Sequence, residues 1–237
     1  MRRHPPAVRR PSRDRPYGIV ESARITGTLR YAELALFELI GSSAPGARPA
    51  TAAVFLAGAA RSHGWRAEQL APLLPVSNGL PGAAQCTASP GPAFESALGA
   101  LAAAPEALDG AELVDALVSA LYPVLAASYE ARLARCHSAP ADQALARVLR
   151  RVAADLAAVV ADGSDLLAAG AGRGDRRRGG ADAAVPPGGP CAAPRAAMSP
   201  AQADLPHLVA AEQNEPLRSR VRAVLAGAKA PFGVPLP

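Results

Sequence analysis

Apolar residues recur at helical spacing, three and four positions apart, in four long stretches of the chain. In chain order, these stretches run from about Ile19 to Ile40, Pro49 to Ala71, Asp109 to Cys136 and Ser138 to Ala161. Stretches of roughly 20–27 residues correspond to helices about 30–40 Å long. The pattern therefore predicts an all-α protein built from four long amphipathic helices.

Residues that start, stop or bend helices divide these stretches. Gly41 and Gly163 are each expected to end a helix, because glycine is the commonest residue just past a helix C-terminus. Asp109 and Glu112 form a capping-box-like pair at the start of the third helix. Pro123 lies inside the same helix and predicts a kink or break one turn upstream, since proline removes a backbone donor.

A long connection separates the second and third helices. Residues 75–92 are rich in proline, glycine and small polar residues, and a short helix is expected at about Ala93–Ala104. Four helices with one long middle connection are the parts of an up-down-up-down bundle with a crossover. We assign this bundle to residues 19–167.

Both ends of the chain lack the periodicity of a packed helix. Residues 1–18 mix arginine with proline, and residues 168–204 form a low-complexity linker rich in glycine, alanine, proline and arginine. Residues 205–237 form a tail in which a short amphipathic helix follows Pro216. We expect disordered N- and C-terminal arms around the bundle, because these segments hold too little apolar surface to offset the entropy of ordering.

The composition agrees with a helical core. Apolar residues make up 50% of the chain and aromatic residues only 4%, so alanine, leucine and valine must fill the interior. Alanine and leucine favour helices, whereas strands favour β-branched and aromatic residues. The sequence also lacks an apolar run of about 18–20 residues, so no membrane association is expected.

The excess positive charge lies at the N-terminus. The formal net charge is +5, and the first sixteen residues hold six arginines against Asp14 alone. The rest of the chain is neutral and has no basic field to attract nucleic acid, so binding of that kind is expected only through the arginine-rich arms. Three cysteines with no CxxC spacing indicate neither a disulfide framework nor a zinc site, and the expected location is the cytoplasm.

Several polar residues fall on the apolar faces of the predicted helices. Glu33 shares a stripe with leucines on the first helix, and His63 lies on the inward stripe of the second. Asp155 lies on a valine-lined face of the fourth helix, and Glu130 faces inward only if the break near Pro123 rotates the third helix. Paired carboxylates and histidine at helix centres are typical ligands of iron and other divalent ions.

Three segments, LRYAELALFELIG, SHGWRAEQLAPLLP and LYPVLAASYEARLAR, resemble an uncharacterised ferritin-like family of actinobacterial proteins. The resemblance covers about residues 19–168 and implies a ferritin-like four-helix bundle. In a di-iron site of that fold, two helices each contribute a Glu and two each contribute Glu-x-x-His.

The chain departs from that ligand pattern at important positions. Ala60 stands three residues before His63, and Val152 stands three residues before Asp155, where the pattern has Glu. The four side chains that match are Glu33, His63, Glu130 and Asp155. This degenerate set is expected to hold no cofactor, or at most a single iron or other divalent ion.

The sequence favours a non-catalytic bundle that acts by interaction or self-association. Its alanine-rich helices allow close approach between chains, so a homodimer is one expected assembly. In this interpretation Glu33 is a buried polar group paired with His63 or Arg66, and Tyr122 and Tyr129 are ordinary surface or interface aromatics. The alternative is a metal-dependent iron oxidase or hydroxylase that uses the carboxylate and histidine set.

Overall fold

The computed structural model describes residues 17–74, 87–103, 109–136, 140–178 and 216–226. Six helices account for most of this part of the chain, which contains no β-strand. They are α1 (Ile19–Ser43), α2 (Ala50–Leu70), α3 (Pro92–Ala102), α4 (Gly110–Leu133), α5 (Pro140–Arg178) and α6 (Leu217–Ala226). The all-α prediction is confirmed for the described residues. Residues 1–16 of the basic arm, 75–86 of the long connection, 179–204 of the linker, and 205–215 and 227–237 of the tail lie outside them. The prediction of a linker from residue 168 is wrong for residues 168–178, which continue α5.

Helices α1 and α2 form an antiparallel hairpin around a short turn. Leu36 and Ile40 of α1 and Leu56 of α2 are fully buried in the shared core. A side-chain carbon added at Gly41 would lie 3.7 Å from the Ala60 Cβ atom, an ordinary van der Waals contact. The predicted stop at Gly41 is wrong, since α1 continues through this residue to Ser43.

Gly163 allows close packing in the middle of α5. A Cβ atom there would lie 2.6 Å from Val118 of α4 and 2.8 Å from Phe55 of α2. The residue therefore sits where three helices converge, and α5 continues past it to Arg178. The predicted stop at Gly163 is wrong, since the absence of a side chain is needed here for close packing and not for helix termination.

Helix α4 has the predicted cap and the predicted irregularity. The Asp109 carboxylate accepts a hydrogen bond from the Ala111 N–H at 3.1 Å. A π-helical segment at Leu117–Leu121 separates the α-helical segments Gly110–Ala116 and Tyr122–Leu133. Pro123 has no N–H to donate to the carbonyl four residues earlier, so the break one turn upstream is confirmed.

The short helix α6 packs on α3 and α4. Its apolar face is buried through Leu217, Val221 and Leu225, which join the main hydrophobic core. The Leu217 N–H at its start donates to the Glu112 carboxylate at 3.2 Å. The amphipathic helix expected behind Pro216 is therefore present, and it completes one side of the core.

A specific polar contact ties α6 to the irregular part of α4. The Arg222 guanidinium donates to the Ser119 carbonyl oxygen at 2.9 Å. Ser119 is four residues before Pro123, so its carbonyl lacks the donor of a regular α-helix. The C-terminal helix thus satisfies an acceptor that the proline leaves free.

Helix α4 is long and apolar enough to cross a membrane by length and composition, and it is the single such helix among the described residues. Over half of its most apolar window is buried inside the protein. A core helix of a soluble protein meets the same criteria, so this feature says little about location.

Candidate site in the helical core

A cluster of polar side chains lies inside the helical core and joins four helices. Its members are Glu33 of α1, His63 and Arg66 of α2, Tyr122 and Tyr129 of α4, and Asp155 of α5. Glu33, His63 and Arg66 are fully buried. Polar groups at this depth need internal partners, because each would otherwise lose its hydrogen bonds to water.

Helical periodicity brings these side chains together. Glu33 lies three residues from the buried Leu36 on α1. His63 and Arg66 are one turn apart on α2 and project from one face, and seven residues place Tyr122 and Tyr129 on the same line of α4. Antiparallel packing of α1 on α2, and of α5 on α2, brings the faces into register.

Glu33 is the acceptor at the centre of the cluster. Its Oε2 atom lies 2.7 Å from His63 Nδ1 and accepts a hydrogen bond from Arg66 Nε at 2.9 Å. Its Oε1 atom accepts a hydrogen bond from the Tyr129 hydroxyl. The prediction that Glu33 pairs with His63 or Arg66 is confirmed, and both partners are used at once.

Arg66 links the two carboxylates. Its Nε atom donates to Glu33, its Nη1 atom donates to Asp155, and its Nη2 atom lies 2.8 Å from His63 Nδ1. Burial alone would lower the pKa of Arg66, but the negative charges of Glu33 and Asp155 outweigh it and raise the pKa. The guanidinium therefore stays charged. The Asp155 side chain is 30% exposed, so the cluster reaches solvent at that end.

His63 is neutral in this environment. Burial lowers its pKa, although Glu33 acts in the opposite direction. The His63 Nε2 atom lies 3.0 Å from the Tyr122 hydroxyl, whose pKa is raised by burial. The buried phenol keeps its proton and donates a hydrogen bond to Nε2, so Nδ1 carries the ring hydrogen and donates it to Glu33.

The structure brings together three of the four residues expected to bind metal. Glu33, His63 and Asp155 meet, but they do so around the Arg66 guanidinium. Glu130 is exposed on α4 and takes no part, because it lies about 100° round the helix from the inward-facing Tyr129. The break near Pro123 thus does not turn Glu130 inward.

The arrangement does not fit a metal ion. The described part of the chain contains no group of three or more histidine, cysteine or acidic side chains able to hold one. The Glu33 oxygens accept hydrogen bonds from Arg66 and Tyr129, and the His63 Nε2 atom accepts one from Tyr122, so their lone pairs are already used. The charge that an ion would supply comes instead from Arg66.

The prediction from sequence did not place two members of the cluster, Tyr122 and Tyr129, in the core. Tyr122 and Tyr129 are fully buried, so their interpretation as surface or interface aromatics is wrong. Their spacing of seven residues on one helix is the signal that could have placed them on the inward face. What the spacing does not show is which acceptors their hydroxyls meet.

The chain was compared with known protein families, curated proteins and solved structures. No protein-family model, curated protein or solved structure matches the chain.

Proposed function

We propose that this protein is a non-catalytic, ferritin-like helical bundle that acts by interaction or self-association and has lost the di-iron chemistry of that fold. One observation carries the proposal: the Arg66 guanidinium donates to both Glu33 and Asp155 and lies beside His63, so it uses the carboxylates that a metal ion would need.

The electrostatics of the cluster support this proposal. Two unit charges about 4 Å apart interact by roughly 4 kcal/mol at the effective dielectric of a protein. A divalent ion placed beside the Arg66 guanidinium would meet repulsion of at least that size. It would also have to replace the three hydrogen bonds that Glu33 accepts.

The order and packing of the long helices support the ferritin-like part of the proposal. Helices α1, α2, α4 and α5 are the long elements, and the longest connection among them lies between α2 and α4. The charged cluster lies where these four helices face one another. The buried carboxylates at the centre of such a bundle need a positive charge, which a metal ion supplies in ferritin-like proteins and the Arg66 guanidinium supplies here.

The surface of α1 and α2 supports an interaction role. The exposed fractions of Phe37, Val54 and Trp65 are 44%, 74% and 38%. Large apolar side chains that gather on one surface mark sites of association more often than scattered ones do. Such a surface is suited to bind a protein partner.

The experiment is an anaerobic titration of the tag-free protein with ferrous iron, followed by metal analysis and exposure to oxygen. We expect at most one weakly held ion per chain and no oxygen-dependent absorbance change. The matched control is Glu130→Gln, which alters an exposed carboxylate of α4 and should leave the result unchanged. Two irons per chain, with an absorbance change that Glu33→Gln abolishes, would refute the proposal and support the oxidase or hydroxylase.

A further inference from the structure

We propose that the apolar groove between α1 and α2 is the surface through which two copies of this chain pair. The inference rests on the proposed function, since it names the partner in self-association. It arises from a groove, two exposed aromatic residues beside it and two exposed charges on α2.

The groove is open and apolar, with a volume of about 750 Å³. Small residues of both helices line it, which lets a bulky side chain of a partner come close to the two backbones. The small residues are Gly41, Ala44, Ala57, Ala60 and Gly64. The shape of the groove therefore suits a bulky apolar side chain, and this chain has two aromatic side chains next to it.

Phe37 and Trp65 stand at one end of the groove. The Phe37 ring lies against Gly64, where an added Cβ atom would be 3.3 Å from it. The two partly exposed aromatic rings therefore border one end of the groove. A surface with apolar rings beside a hollow is suited to pair with its own copy rotated by 180°.

Two charged residues on α2 favour one orientation of the second copy relative to the first. Arg61 and Glu68 are seven residues apart and lie on the same face of α2, with Trp65 between them. Both are exposed, and neither forms an ion pair with any residue that the structure describes. Each is free to pair with a partner.

An antiparallel pair of α2 helices with its twofold axis beside Gly64 and Trp65 uses all these features. Arg61 then faces Glu68 of the partner subunit, and the reverse pair forms by symmetry. Trp65 then lies beside the axis, against the aromatic end of the partner subunit's groove, with the ion pairs at the rim. Aromatic anchors at the centre and charges at the rim are typical of specific interfaces.

The same charges exclude the neighbouring register. An axis at Arg61 would bring the guanidinium against that of Arg61 of the partner subunit. Like charges facing each other at an interface disfavour that pairing. Charge and shape therefore indicate one occupant and one orientation.

The test is sedimentation velocity on the full chain at about 1–100 µM, with Trp65 fluorescence as a second readout. We expect a concentration-dependent dimer, and a blue shift of the emission as the dimer forms, because Trp65 is the single tryptophan. Arg61→Glu and Glu68→Arg should each weaken the dimer at least about tenfold, since each replaces two attractive pairs with two repulsive ones. The matched control is Arg147→Glu, the same change at an exposed position of α5, and it should leave the dimer intact.

Mixing the two single variants gives the decisive result. A chain with Glu at positions 61 and 68 is complementary to a chain with Arg at both, so the mixture should form heterodimers of wild-type strength. A wild-type dimer that both variants retain would overturn the inference, as would a monomer at every concentration. A monomer whose Trp65 emission shifts on adding a fatty acid would also overturn it and indicate a small apolar ligand. None of these outcomes affects the metal titration, so failure of the interface and failure of the proposed function remain distinguishable.

Discussion

Glu33→Gln is the substitution that tests the internal ion pair most sharply. Glutamine keeps the shape of the side chain and one acceptor oxygen, but it removes the negative charge beside Arg66. Its amide nitrogen is a donor, and the three groups around Glu33 are donors from His63, Arg66 and Tyr129. At least one of them must therefore lose its acceptor.

The size of the effect follows from the surroundings of Arg66. Removing one partner of a buried ion pair costs about 3–5 kcal/mol, because the remaining charge is left uncompensated. Asp155 still accepts a hydrogen bond from Arg66, which places the expected loss near the lower limit, at about 3 kcal/mol. Arg66→Met should cost about 3–5 kcal/mol, since Glu33 then keeps its charge and has only two donors.

The double variant separates an ion pair from two independent contacts. Glu33→Gln with Arg66→Met removes both charges, and replacing a buried pair by uncharged groups is often close to neutral. We expect the double variant to lose less stability than the sum of the single variants, with a coupling energy of about 2 kcal/mol or more. Urea unfolding at neutral pH, followed by circular dichroism, gives all four free energies of unfolding.

The control for this cycle is Glu130→Gln on the exposed side of α4, which should change stability by less than about 0.5 kcal/mol. Two results would refute the reasoning. One is a Glu33→Gln protein within about 0.5 kcal/mol of wild type, and the other is a coupling energy close to zero.

Three further predictions concern other parts of the molecule. Burial lowers the pKa of His63 below its usual value of 6.5, so below about pH 6.5 the unfolded chain binds a proton that the folded chain does not. The free energy of unfolding should therefore fall with decreasing pH, by up to about 1.4 kcal/mol per pH unit. His63→Gln should remove that part of the slope in urea titrations between about pH 7 and pH 5. Arg222→Ala leaves the Ser119 carbonyl without its donor, so it should cost about 1 kcal/mol and speed amide hydrogen exchange in α6, and unchanged exchange there would contradict the docking. Gly163→Ala should destabilise the protein by about 1–3 kcal/mol, because its Cβ would overlap two neighbouring side chains. Gly170→Ala has open space and should stabilise the exposed helix slightly. Thermal unfolding of both variants shows whether the two changes in stability have opposite signs.

The helices could be predicted because their signals are local. Apolar spacing, Asp109 as a cap and the proline at position 123 each act within a few residues, and α1 to α5 begin within two residues of the expected positions. Gly163 misled the prediction because the signal that a glycine gives is local as well. A glycine that ends a helix and a glycine that allows close packing look alike until the neighbouring helix is known.

The cluster could be predicted only in part. The stripes on α1 and α2 placed Glu33 and His63 inward and suggested Arg66 as a partner. The simultaneous contact of Arg66 with α1 and α5 depends on how three helices are arranged in space, and periodicity on one helix does not contain that information. The same holds for the docking of α6, whose partners lie about 100 residues earlier in the chain.

The central claim is that the Arg66 guanidinium occupies the place between Glu33, His63 and Asp155 that a metal ion would take. Anomalous diffraction at the iron absorption edge, from crystals grown anaerobically with excess ferrous iron, tests it most directly. We predict guanidinium density between the two carboxylates and no anomalous peak within bonding distance of Glu33 or His63. An anomalous peak bonded to both residues, with Arg66 displaced, would contradict the account.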